Sequence, residues 1–279
     1  MTTDTTSGAS LIQEQVASLL VQPLEAASVV LSSGVRIFDS SEPLRIPKLT
    51  AGITAGFVAE NAEITAADVT FGELNLMPSD RKSIKALTKF SNEMLRQSTI
   101  GLDSVLKQRL VTDVSSALDA ALLTGAGTTK SITGITKQTG VSTGTLDNTD
   151  PDSLLDAMAT AAGNEVEPNR WFVSSADFFA LRKVKASGTG EYLIQPDVTQ
   201  GARYAMFGVP VTVTNRLAEG TAVLADMSQV AVVRDLAPSV TLLSERYAEF
   251  DQQAIRVVTR YDLGLLHPEG VVVLTKATP

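Results

Sequence analysis

Residues 98–125 read STIGLDSVLKQRLVTDVSSALDAALLTG. Leu102, Leu106, Leu110, Val114, Leu118 and Leu122 recur at every fourth position, and Val105 thickens the stripe. An α-helix turns once in about 3.6 residues, so this spacing gathers the apolar side chains on one face and predicts one long amphipathic helix. Ser98 or Thr99 can cap its start, Asp103 suits the positive end of the helix dipole, and Gly125 offers a left-handed stop. About 24 residues at about 1.5 Å each make a rod of roughly 36 Å, enough to span a domain. Constant spacing by four favours packing on a sheet over a coiled-coil seam, which alternates three and four.

Upstream of this rod, Ile84, Ala86 and Phe90 alternate with Lys85 and Lys89, the pattern of a half-buried strand. Arg81, Lys82, Lys85 and Lys89 are read as its wet face; the competing reading is contact with DNA or with a neighbour's acidic loop. Residues 57–78 read as a long hairpin: Phe57 and Val58 go out, the tip is polar around Glu60, Asn61 and Glu63, and Val69, Phe71, Leu74 and Leu76 return. A two-stranded ribbon is marginal in water and needs a neighbour, in this chain or in another copy. Arg36 to Phe38 and Leu44 to Ile46 predict strands that Pro43 and Pro47 keep short. Ser10 and Gln13 form a capping box ahead of an apolar stripe at Leu11, Ile12, Val16, Leu19 and Leu20, which predicts a short helix. Residues 1–50 thus carry apolar groups without a compact unit, and are expected to lie across something else.

Downstream, Gly, Thr and Ser dominate residues 128–150, the composition of a loop leading into a second substructure. Asp152 to Ala162 predicts a helix and Trp171 to Val173 a buried strand, with Trp171 in the core. Ser174 or Ser175 then caps a helix through Phe178, Phe179, Leu181 and Val184 that Gly188 and Gly190 stop. Strands follow at Val209–Val213, Ala222–Leu224, Val230–Val233 and Val240–Leu243, with Pro238 separating the last two. Ile255, Val257, Thr259 and Tyr261 alternate against Arg256, Val258 and Arg260, and Val271 to Leu274 forms the final strand. The fold class is α+β, without the regular βαβ alternation of a doubly wound parallel sheet.

Of the 279 residues, 44% are hydrophobic, enough for a buried core. No apolar run approaches the roughly 18 residues that cross a bilayer, because Gln22, Pro23 and Glu25 break Leu19 to Leu31. No Cys is present, which excludes disulfides and thiolate metal sites. A net charge of −8 and a pI near 4.8 argue against a sequence-specific reader of nucleic acid. Gly125-Ala-Gly-Thr-Thr-Lys-Ser131 imitates a phosphate-binding loop, but its spacing is wrong and it follows a helix instead of opening one. His267 is the single histidine, too few for a catalytic triad of the usual kind with its partners unplaced, or for a multi-histidine metal site. Asp147, Asp150 and Asp152 lack the calcium-loop pattern and are read as turn chemistry before a helix. No catalytic, cofactor or metal site is expected.

In order, Phe57-Val-Ala-Glu60, Asp68-Val-Thr-Phe71, the strand Lys82 to Phe90, Ser91-Asn-Glu-Met-Leu95, the helix ending Leu118-Asp-Ala-Ala-Leu-Leu-Thr-Gly125, and Gly134-Ile135 resemble the major capsid proteins of tailed double-stranded DNA bacteriophages. Trp171 to Ser175, Gly208-Val-Pro-Val211, Leu224-Ala-Asp226, Val233-Arg234, Phe250 to Arg256, Arg260-Tyr-Asp262 and Pro268 to Leu274 extend the likeness, which covers roughly residues 30–275. The resemblance implies an N-terminal arm (1–50), an extended hairpin loop (51–78), a peripheral domain with a long spine helix (79–135), an axial domain (136–239) and return strands of the peripheral domain (240–279). It further implies a homo-oligomer of pentamers and hexamers closing an icosahedral shell, residence in the virion after assembly in the bacterial cytoplasm, and no membrane partner. Portal, scaffolding and decoration proteins are candidate partners, and the enclosed DNA is expected to meet the acidic wall without sequence-specific binding. Candidate contacts between subunits are Leu11, Val16, Phe38, Phe57, Glu60, Glu63, Asp68, Arg81 and Lys82.

Some members of that family join subunits by an isopeptide bond from a hairpin lysine to an Asn, helped by a Glu. Residues 57–78 hold no Lys, and the late strand offers Gln252, Gln253 and Arg260, so a shell without such links is expected. Many members also begin with a cleaved helical scaffolding segment, and almost nothing precedes the arm here, so scaffolding is expected from a separate protein or not at all. Two alternatives stand beside this reading: an encapsulin-type nanocompartment shell, with Ser10 to Leu20 as its inward helix, and a soluble enzyme.

Overall fold

The computed structural model describes residues 27–51, 57, 70–77, 82–93, 102–128, 131–185, 204–243 and 245–276. The predicted rod is helix α1, Leu102–Thr124, 23 residues long. From Leu110 onward its stripe is inserted between two sheets. Val114 packs with Ile255 and Val257, while Leu118, Leu122 and Leu123 enter a larger cluster with Phe172, Val223, Tyr261 and Leu263. Packing against sheets, as the spacing by four implied, is what the helix does.

The first sheet has four strands in the order β1-β10-β11-β4. Its centre is an antiparallel pair of 14-residue strands, β10 (Val230–Leu243) and β11 (Gln252–Leu265). β1 (Arg36–Asp39) runs parallel to β10, and β4 (Ile84–Ser91) antiparallel to β11. Ile255, Val257, Thr259 and Tyr261 are all buried on the helix side, as the alternation predicts. One continuous strand replaces the two expected around Pro238. The ladder shifts register between Leu236 and Ser239, and this irregularity takes up a residue that cannot donate a backbone hydrogen bond.

The second sheet has six strands in the order β5-β12-β9-β6-β8-β7. These are β5 (Ser142–Leu146), β6 (Arg170–Val173), β7 (Ala205–Met206), β8 (Val209–Val213), β9 (Thr221–Ala225) and β12 (Val271–Lys276). One face shares the α1 cluster through Phe172, Val223, Ala225 and Val273. The other carries Trp171, Val173, Leu224 and Leu274 against α2 (Asp152–Gly163) and α3 (Ser175–Arg182). Covered on both faces, these strands read as unbroken apolar runs such as Val271-Val-Val-Leu274. Two expectations are corrected here. Residues 142–146, which the composition of 128–150 predicts to be loop, form edge strand β5, whose exposed threonines give it no apolar alternation. β12, within the expected 240–279 return strands, pairs with β5 and β9. α3 is capped by Ser174 but ends at Arg182, ahead of Gly188 and Gly190, which lie outside the described residues.

The turn after α1 also differs from expectation. Gly125 is not left-handed; Gly127 is, at φ 67°. What requires glycine at 125 is crowding, since a Cβ there would stand 2.2 Å from the Ile132 carbonyl oxygen and 2.4 Å from that of Ala121. Gly134 is equally hemmed in and donates its N–H to the Gly125 carbonyl at 2.9 Å. The phosphate-loop imitation is therefore a tight helix stop.

Candidate subunit-contact surfaces

The described part of the hairpin's outgoing strand is β2 (Leu44–Ala51), which starts well ahead of Phe57 and pairs antiparallel with β3 (Thr70–Leu76) as a two-stranded sheet of its own; Val58 lies outside the described residues. Pro47 sits inside β2 instead of ending it, which an edge position permits because no second ladder needs its missing N–H. The ribbon consequently includes a lysine, Lys48, opposite Gly72.

The root of this ribbon is clamped to the body. Leu74 and Leu76 lie over Gly264 so closely that a Cβ there would be 2.6 Å from Leu76 Cδ2. The Met77 N–H, at a residue with φ 56°, donates to Asp262 Oδ2 at 2.7 Å. Leu44, Ile46, Leu74 and Leu76 then close a small cluster with Ala231 and Val233 on the face of the four-stranded sheet away from α1. Strand alternation sends Phe71, Glu73 and Asn75 to the opposite side, where all three are exposed, Phe71 to 75%. Phe57 has its whole side chain in solvent.

The sequence-derived contact candidates separate accordingly. Phe57 is exposed. Phe38 is half-buried and packs against the chain's own Leu44–Val233 cluster. Lys82 is half-buried just ahead of β4. Leu11, Val16, Glu60, Glu63, Asp68 and Arg81 lie outside the described residues. The expectation that residues 1–50 have no home on their own body is corrected for residues 28–39. Val30 and Leu31 enter the α1 core, and β1 completes the four-stranded sheet. Buried Asp119 of α1 holds this segment by accepting from Ser28 Oγ at 2.6 Å, Val29 N at 2.9 Å and Val30 N at 3.1 Å. The bidentate pair of Arg234 with Asp39, 2.6 and 2.9 Å, ties β1 to β10. That hydrogen-bonded guanidinium holds the Asp39 carboxyl below the usual carboxylate range. The pair is complete above the ordinary Asp pKa and is lost as pH falls through the lowered folded value.

Sequence reading missed several surface residues. Phe71 was grouped with Leu74 and Leu76 as one returning run, although its odd position placed it on the other face. Phe179 is exposed in a groove of about 720 Å³ that Asn148, Ser175 and Val184 also line, and Tyr204 and Phe207 are exposed on either side of edge strand β7. Leu87 and Phe250 are exposed on the four-stranded sheet and its β10–β11 turn. Among the described residues no group of three or more His, Cys, Asp or Glu could hold a metal. His267 is exposed at a turn. Asp147 receives the Thr149 hydroxyl and N–H, which lower its pKa and account for it as turn chemistry.

A long helix caught between two sheets, with a rooted ribbon projecting from one of them, is the architecture of a shell subunit. Residues 8–276 match the model of the phage capsid family, and the chain belongs to that family as a structural capsid protein of the virion. It is 24% identical over 302 residues to the major capsid protein of Klebsiella oxytoca phage phiKO2, spanning 96% of this chain and 68% of that one. Solved structures share the fold. One from Microbacterium phage Oxtober96 has a TM-score of 0.72 at 17% identity, covering 90% of this chain and 91% of that chain. The capsid of a native GTA particle computed with C5 symmetry has a TM-score of 0.73 at 16% identity, covering 90% of each.

Proposed function

We propose that this chain associates head to tail into rings of five and six that tile an icosahedral phage head around double-stranded DNA. The observation that carries this reading is the ribbon. It is fixed at its root by Leu76, Met77 and Asp262, yet beyond the root it turns the large apolar side chain of Phe71 to solvent. Exposed aromatic surface on a held, projecting element is the signature of a segment meant for a partner. In a closed shell of identical subunits the partner is the next copy, because ring contacts are heterologous and place one patch on a different patch of its neighbour.

In this reading the four-stranded sheet and α1 form the peripheral domain, and the six-stranded sheet with α2 and α3 forms the axial domain at the ring centre. Phe57, Glu60, Glu63 and Asp68 reach a neighbour from the hairpin, Leu11 and Val16 from the arm, and Arg81 and Lys82 belong to the receiving body. Phe38 serves its own chain. A net charge of −8 suits a wall that DNA does not stick to. Assembly takes place in the bacterial cytoplasm, with portal, scaffolding or decoration proteins joining the same shell.

Electron microscopy of the purified, expressed protein tests this. Icosahedral particles built of five- and six-subunit rings are expected. Small monodisperse monomers would overturn the shell reading, and particles filled with a protein cargo would move it to the nanocompartment alternative.

A further inference from the structure

Ala27 is exposed and the next residue, Ser28, is fully buried, so the chain enters its own body at this point. Val30 and Leu31 then join the core cluster that holds Leu118 and Leu122 of α1. Apolar burial alone does not fix how far the segment runs in, because the order is Ser28-Val-Val-Leu-Ser32 and hydrophobic attraction has no direction. A shift by one residue would seat Val29 and Val30 where Val30 and Leu31 now lie, for the loss of about one methylene of burial. The Ser32-Ser33-Gly34 turn that follows, with Gly34 at φ 96°, can take up the extra residue ahead of β1.

What separates the two registers is a pair of polar side chains. Asp119 is 3% exposed, and among the described residues no cation pairs with it. An apolar residue there would hold an apolar segment without the cost of burying a charge, so the carboxylate contributes direction. One of its oxygens accepts from Ser28 Oγ and Val30 N, the other from Val29 N. Ser28 Oγ in turn accepts the Leu31 N–H at 3.1 Å. In the shifted register Ala27 would stand in place of Ser28, and both hydrogen bonds of the hydroxyl would be lost while the apolar contacts stayed nearly the same. Resting on the shell reading above, we propose that Asp119 and Ser28 are positioning residues that fix the register at which residues 1–27 leave the body, and with it where the arm of one copy meets the next. A slip of one residue moves an extended chain by about 3.3 Å and turns its alternate side chains to the other side. A contact between unlike patches of identical copies repeats that error at every subunit of a ring.

Moving the hydroxyl by one residue tests the pin. In free subunits, Ser28→Ala should quicken exchange of the Val29, Val30 and Leu31 amides by about tenfold or more, while the β1 amides keep their protection. A27S/S28A offers the hydroxyl one residue earlier. Its thermal midpoint should recover and protection should return in shifted form, gained at residue 28 and lost at Leu31. Below every midpoint, both variants should still give roughly fivefold fewer closed particles of uniform diameter than wild type. Gly125→Ala, which disturbs the same core away from the arm, should assemble normally at that temperature. Ser28→Ala subunits that exchange and assemble like wild type, or A27S/S28A subunits that assemble normally once protected in the shifted register, would overturn the positioning role and leave the shell reading standing. Assembly losses that simply follow the midpoint in all three variants would likewise overturn it, leaving the pair a contact that only stabilises. Wild-type protein that forms no shells at all would remove the shell reading and the proposal with it.

Discussion

Replacing Gly125 by Ala is expected to lower the stability of the subunit by at least about 3 kcal/mol, near the upper end for overpacking, because nothing around the new methyl group can move aside cheaply. The obstructing atoms are backbone. The carbonyl oxygens of Ile132 and Ala121 would be 2.2 and 2.4 Å from the added carbon. The first belongs to the segment that returns through the Ala126–Thr133 bridge, and the second accepts the Gly125 N–H that closes the last turn of α1. Relief therefore requires unwinding the helix end or withdrawing residues 132–135, and both withdraw buried Ile132 and Ile135 from the main core. At roughly 2–4 °C per kcal/mol for a chain of this size, the thermal midpoint should fall by roughly 6–12 °C. Gly163→Ala is the matched control, since a Cβ there meets nothing within 4 Å. An unchanged midpoint for Gly125→Ala would show that the turn is not packed as described.

Asp177→Ala should cost a comparable amount, about 3 kcal/mol, for a different reason. The carboxylate is 3% exposed and joins three separate pieces of the six-stranded half. It accepts from Asn148 Nδ2 at 2.6 Å, from Ser174 Oγ at 2.6 Å and from Gly220 N at 2.7 Å, linking the β5–α2 connection, the start of α3 and the β8–β9 turn. Truncation leaves those donors buried without their acceptor. The damage should be local: amide exchange should quicken around residues 148–150 and 218–221 while α1 keeps its protection. Asp177→Asn, which retains one acceptor oxygen, should fall between the two. Equal exchange in wild type and Asp177→Ala would refute the hub.

These two sites show where sequence reading succeeds and where it stops. α1, β6, the Ser174 cap and the alternation of β11 were legible because helix and strand periods act over neighbouring residues. Elements set by distant partners were not. β2 carries Pro47 and declares itself only through its ladder with β3. β5 is a run of Ser, Thr and Gly that becomes a strand because β12 lies beside it. The carboxylates that organise the fold act across the chain, Asp119 on Ser28 at a separation of 91 residues and Asp262 on Met77 at 185, and no local pattern announces them. Exposure along the hairpin is only partly legible for the same reason. Phe57, named as a hairpin residue, is exposed, whereas Phe38 packs in its own core and Phe71, the clearest aromatic on the ribbon, stands in one returning run with Leu74 and Leu76 although its side chain leaves by the other face.

The rooted ribbon also explains how one sequence can be both a stable subunit and a building block. Burial of Leu76 and Met77, with Leu74 packed beside them, sets the direction in which the ribbon leaves, so little order has to be gained when a neighbour arrives. The most direct test is amide hydrogen exchange across residues 44–51 and 70–76, compared between free subunits and assembled particles. Marked slowing on assembly is predicted at and beyond Phe71, with little change at the root near Leu76. Identical exchange in the two states would mean that no sister copy covers the ribbon.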